Sequence, residues 1–152
     1  MSKEQKYPVK DIDERMKRLE LDPPEKYGFV ENGFWYPNER FLEETHERVI
    51  REYGGHSGYE VGFDPLKILL AKTKVTEGAF MKAAILLRDI ITVRMYRDVN
   101  HRTALLTCET FLNENGKELW TENSQTLYMF IKEILNYSID EIAEWLENGP
   151  KA

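Results

Sequence analysis

The sequence predicts an all-α protein, a compact bundle of about six helices with one small β-hairpin. Three observations predict it. Beyond position 38, apolar residues recur at three- and four-residue steps over most of the chain. Capping residues mark the ends of those periodic segments, and the connections between them are short. One segment, Gly78 to about Tyr96, is apolar nearly all round, as a helix surrounded by other helices must be.

Taken in order, residues 1–25 are charge-rich and close on Asp22-Pro23-Pro24, an arm or short helix followed by a stiff linker. The domain proper is expected over 26–150. GFVENGFWYP (28–37) is a short β-hairpin around Asn32-Gly33, or else a loop packed on the core. From Asn38 to Tyr53, Phe41, Leu42, Thr45, Val49, Ile50 and Tyr53 share one helical face, and Gly54-Gly55 ends the helix. Asp64-Pro65 supplies a cap and a first-turn proline for LKILLAK. The central helix follows over 78–96, and then an amphipathic helix from Thr103 to Glu114 that stops at Asn115-Gly116. Two more helices are expected at about 122–136 and 139–147. Ser138 and Glu141 form a capping box for the second, and Gly149-Pro150 closes it.

Bulk properties narrow the function. The 152 residues suit one domain with a real core, and 41% hydrophobic content excludes disorder by composition. The formal net charge of -6 argues against binding a nucleic-acid backbone. The single cysteine, Cys108, cannot pair within the chain, which fits a reducing cytoplasm. No stretch reaches the length and apolarity of a membrane span, and the N-terminus has no apolar leader core. A cytoplasmic protein that binds neither membrane nor nucleic acid is expected.

Chemistry concentrates in RMYRDVNHRTAL (94–105). Asn100, His101 and Arg102 stand at a helix entrance, where free backbone N–H groups and the dipole favour an anion. Arg102 adds a bidentate phosphate donor. Asp98 is a candidate ligand for Mg²⁺, which would in turn bridge phosphates. Together these residues describe a triphosphate site. From residue chemistry alone, a helix cap with a solvated charge cluster is the better-supported reading.

DVNHRTALLTCETFLNENG (98–116) resembles the signature of the Fic/Doc family in its death-on-curing branch, H-x-F-x-D-x-N-K-R-T-A-L followed by F-L-x-x-N-G. Tyr96 stands for the aromatic, while Asp98, Asn100, Arg102, Thr103, Ala104 and Leu105 match outright. Phe111-Leu112 and Asn115-Gly116 fall in the later part of the pattern. THERVIREYGGHSG (45–58) is similar to that branch's H-E-x-x-I-x-x-Y-G-G-x-x-G, and the resemblance spans roughly 36–147. It implies a Fic/Doc-like helical bundle that binds Mg²⁺ and ATP or another nucleotide at the motif loop. Such proteins transfer a nucleotidyl or phosphoryl group to a hydroxyl of a target protein. In this branch, which resembles protein kinases, an antitoxin partner is also implied. Leu105 stands where the nucleotidyl-transferring branch has a second arginine.

The match fails at the catalytic position. Arg94 stands where the family has the histidine that accepts the proton of the attacking hydroxyl. A guanidinium has no lone pair to offer near neutrality, so Arg94 is no general base. His101, in the family's lysine or glycine position, is the candidate substitute. His46 sits on a helix and reads as a packed or hydrogen-bonded residue, and no histidine pair has zinc-site spacing.

Lys74, Val75 and Thr76, within KTKVTEGAF (72–80), lie where relatives carry a flap that aligns the target by strand pairing. Glu77 reads as a first-turn acid of the central helix. Cys108 reads as core, and Trp35-Tyr36 as packing or as an exposed partner contact.

Three functions therefore stand as expectations. The first is a degenerate death-on-curing protein acting as a nucleotide- or protein-binding regulator or toxin–antitoxin relic. The second is an active Mg²⁺-dependent transferase with a relocated base. The third is a structural interaction domain. In each, residues 1–25 could dock on the domain, block its site or join two copies into a homo-oligomer.

Overall fold

The computed structural model describes residues 26–55, 64–92 and 100–150. The arm at 1–25, His56, and the motif residues Arg94, Tyr96 and Asp98 lie outside the described residues. Within them the chain is a helical bundle with one hairpin. β1 (Gly28–Glu31) pairs antiparallel with β2 (Phe34–Pro37). Six α-helices follow: α1 (Glu39–Tyr53), α2 (Asp64–Val75), α3 (Ala79–Thr92), α4 (Asn100–Glu114), α5 (Ser124–Lys132) and α6 (Ile139–Asn148). A 3₁₀ turn, Ile134–Asn136, separates the last two. Among the described residues, no helix is long and apolar enough to cross a membrane.

The hairpin forms because Asn32 and Gly33 both take positive φ, 53° and 84°, as a two-residue loop between twisted strands requires. One side chain hydrogen-bonds its second strand to the bundle. The Trp35 N–H donates to Asn115 Oδ1 at 2.8 Å, and Asn115 Nδ2 donates to the Trp35 carbonyl at 3.0 Å. Asn115 thus serves β2 as a substitute neighbouring strand. Trp35 meets Phe41 edge-on at 5.9 Å, and Tyr36 lies 6.1 Å from Phe111. Both Trp35 and Tyr36 are buried, so of the two readings packing holds and an exposed partner contact does not: β2 turns them into the core beside Phe41 and Phe111.

Asn38 caps α1 by accepting the Phe41 N–H at 2.9 Å, and Gly54 closes the helix at φ 83°. α3 is the central helix, with Ala83, Ala84, Leu86, Leu87 and Ile90 fully buried. It packs against α2, α4, α6 and the 3₁₀ turn. α4 differs from expectation in two ways. It begins at Asn100, three residues ahead of Thr103, and every residue from Thr103 to Leu112 is buried. α1 and β2, as well as α3, pack on α4, and the enclosed residues include Thr103, Thr107 and Thr110 and also Glu109. α4 ends where the Lys117 N–H reaches back to the Leu112 carbonyl at 2.8 Å, with Gly116 at φ 77°.

The segment expected as a strand-forming flap is helical: Lys74 and Val75 are the last residues of α2. Lys82, on α3, explains the stop. Its buried ammonium donates to the carbonyls of Thr73 and Lys74 at 3.0 and 3.2 Å, satisfying helix-end acceptors that a paired strand would have used. Thr76 turns back on α2 through its N–H to the Thr73 carbonyl and its hydroxyl to the Lys72 carbonyl. Glu77 precedes Gly78 and stands outside α3, which has no acid in its first turn. The Ser138–Glu141 capping box of α6 forms in both directions, at 3.1 and 2.8 Å.

Candidate functional site

Asn100, His101 and Arg102 occupy the first turn of α4, each half-buried. The turn contains no acidic residue, so the positive end of the helix is not neutralised by its own sequence. Two cations serve this helix start. Arg102 lies over the ring of Tyr53, at the end of α1, with its guanidinium carbon 3.9 Å from the ring centroid. Lys132, at the end of α5, is near enough to His101 to disfavour a second positive charge there.

Burial lowers the pKa of His101 below the ordinary histidine value, and the Lys132 charge lowers it further. At neutral pH the imidazole is therefore uncharged. It can accept a proton, or donate a single N–H to an anion at the helix end.

The next residue anchors the turn. Thr103 is fully buried, and its hydroxyl lies 3.0 Å from Nδ1 of His46, which is also buried. His46 is thus a packed, hydrogen-bonded helix residue that ties α1 to the entrance of α4. Thr45, Thr107 and Thr110 continue this seam, and their buried hydroxyls have no hydrogen-bond partner among the described residues. Cys108 lies in the core; complete burial and the nearby Glu109 push its thiol pKa far above the usual range, so it is no nucleophile.

The arrangement suits an anion better than a cation. It offers a helix start whose dipole favours negative charge, an arginine on an aromatic platform, a nearby lysine and a neutral imidazole. Among the described residues, no three of His, Cys, Asp and Glu stand close enough to hold a metal ion. Asp98, the candidate Mg²⁺ ligand, and Arg94 lie outside the described residues. Lys74, Val75 and Thr76 belong to a separate neighbourhood beside the hairpin, where Lys74 lies 3.5 Å from Glu31 and over the ring of Phe29.

Two members of the site were not predicted. Tyr53 was assigned to the apolar face of α1, with no hint that it carries Arg102. Lys132 has no local signal at all, because its approach to His101 depends on how α5 packs. No family model, curated protein or solved structure matches this chain.

Proposed function

We propose that this chain is a degenerate death-on-curing protein of Fic/Doc type, which binds a polyphosphate at the entrance of α4 without normal transfer activity. It then acts as a nucleotide-dependent binding regulator of a target protein or an antitoxin partner. The observation that carries this reading is Arg94, an arginine at the motif position of the proton-accepting histidine. The acid-free first turn of α4, with Asn100, His101 and Arg102 on it, supports the phosphate half.

In this reading the α4 N–H groups receive phosphate oxygens, and Arg102 donates to them from its seat on Tyr53. Asp98 would hold Mg²⁺. A nucleoside triphosphate bound there would supply the transferable phosphoryl or nucleotidyl group. Arg94 binds charge but takes no proton, and loss of a general base typically lowers a rate by about 10²–10⁴-fold.

Labelled ATP, Mg²⁺ and cell lysate incubated with the protein should yield no labelled product. Robust labelling that Asp98→Ala abolishes would overturn the proposal. Arg94→His should restore labelling; failure to do so would mean that the pocket has decayed beyond one residue.

One observation favours a second reading. The lowered pKa of His101 leaves a neutral imidazole at the site, which is what a relocated base requires. In that case the unaltered protein labels its target and His101→Ala abolishes the labelling.

A further inference from the structure

The end of α6 borders a cleft of about 290 Å³ lined by Tyr137, Glu141, Glu144, Trp145, Gly149 and Pro150. We propose that this cleft is an arginine-binding site that takes the guanidinium of an arginine in an exposed segment of a partner protein. The inference is independent of the phosphate site on α4.

Three physical terms converge on a cation. Both charged residues of the lining are glutamates. They lie with Trp145 at steps of three and four on α6, so the two carboxylates and the indole share one helix face. The last turn of α6 carries no basic residue and does carry Glu147, which leaves the negative end of that helix uncompensated. Two of the other four lining residues, Tyr137 and Trp145, are aromatic, and aromatic rings attract cations.

The rings are fixed before any ligand arrives. Trp145 stacks on Phe130 at 4.1 Å with only 7° between the planes, and meets Trp120 edge-on at 5.0 Å. Tyr137 packs on Phe130 at 4.9 Å. Gly149 completes the wall where no other residue fits: its φ is 81°, and a Cβ there would collide with the Trp120 indole at 2.5 Å. The carboxylates are steadied too. Glu141 Oε1 accepts the Ser138 N–H, and Glu144 Oε2 accepts from Asn148 Nδ2, both at 2.8 Å. One oxygen of each is thereby held locally, and both glutamates are open to solvent.

A planar guanidinium suits this lining better than an ammonium. It stacks on a ring and donates sideways to two carboxylates at once, and it is less strongly hydrated than lysine's compact charge.

The full chain would be titrated with acetyl-Gly-Arg-Gly-amide while NMR follows the indole N–H of Trp145. The peptide should shift that signal saturably. Its counterpart with neutral citrulline should bind at least about ten-fold more weakly, a difference of about 1.4 kcal/mol. The lysine counterpart should fall between them. The double variant Glu141→Gln/Glu144→Gln should lose at least about ten-fold in affinity at an unchanged unfolding midpoint, since glutamine can keep both local hydrogen bonds. Equal binding of the citrulline peptide, no effect of the double variant, or no Trp145 shift at millimolar peptide would overturn the proposal. Lysine binding as tightly as arginine would overturn the choice of arginine.

Discussion

Arg102 and Tyr53 stand one above the other, the guanidinium carbon 3.9 Å from the ring centroid, and this contact joins the end of α1 to the start of α4. Tyr53 is 38% exposed, so the contact is worth roughly 0.5–1 kcal/mol in stability. Its larger effect should be on ligand binding, because it holds the arginine's donors in place. Tyr53→Ala should weaken ATP or pyrophosphate binding by about three- to ten-fold while Tyr53→Phe leaves it near the original value. Calorimetry on the three proteins decides.

Protonation of His101 should be visible in stability. The folded protein holds the imidazole neutral, with a pKa below 6.5, whereas the unfolded chain protonates near 6.5. The stabilising contribution is therefore complete above about pH 6.5 and is lost as pH falls through the lower, folded-state value. Urea midpoints measured from pH 7.5 to 5 should decline, and His101→Gln should flatten that part of the curve. A bound polyphosphate works in the opposite direction. Its negative charge favours imidazolium, so the NMR titration of His101 should move upward when pyrophosphate is added.

Asn115 should matter through the hairpin rather than through phosphate. Its side chain makes two hydrogen bonds to Trp35 and a third to the Phe111 carbonyl at 2.8 Å. Asn115→Ala strands backbone groups of β2, so a loss of about 2–4 kcal/mol is expected in chemical denaturation, on the order of 1 kcal/mol for each bond plus the unpaired groups. Asn115→Asp should be no better, since a carboxylate would face the Trp35 and Phe111 carbonyls.

Lys82 is a structural cation. Besides capping α2, its ammonium lies 4.7 Å from the Phe34 ring centroid and 5.2 Å from that of Tyr36. Lys82→Met keeps the packing volume but abandons two helix-end carbonyls, and should cost about 2–3 kcal/mol. Amide exchange at the end of α2 and in the hairpin should accelerate first.

The fold was largely legible because its punctuation is local. Asn38, Gly54, Ser138 with Glu141, and Gly149 each cap the helix end that their side chain or φ permits, and neighbouring residues alone announce it. α4 was misjudged because threonines count as polar in a periodicity. Against α1 they are short enough to be covered, so a helix expected to show one face to solvent is enclosed. The helical state of Lys74 and Val75 was missed for a related reason. Nothing near Lys74 in sequence reveals that Lys82 will come back to cap it. At the candidate site, the first turn of α4 was foreseen from the motif. Its surroundings were not, because Tyr53 and Lys132 arrive from other helices.

The threonine seam between α1 and α4 sets how firmly the site is framed. Among the described residues the buried hydroxyls of Thr45, Thr107 and Thr110 have no hydrogen-bond partner, so enclosing them returns less than enclosing the apolar side chains Ala83, Leu86, Leu87 and Ile90 of α3. At that joint the Thr103–His46 hydrogen bond and the Arg102–Tyr53 contact are specific ties between the two helices. A load on the entrance of α4 would therefore reach α1 first through those two contacts.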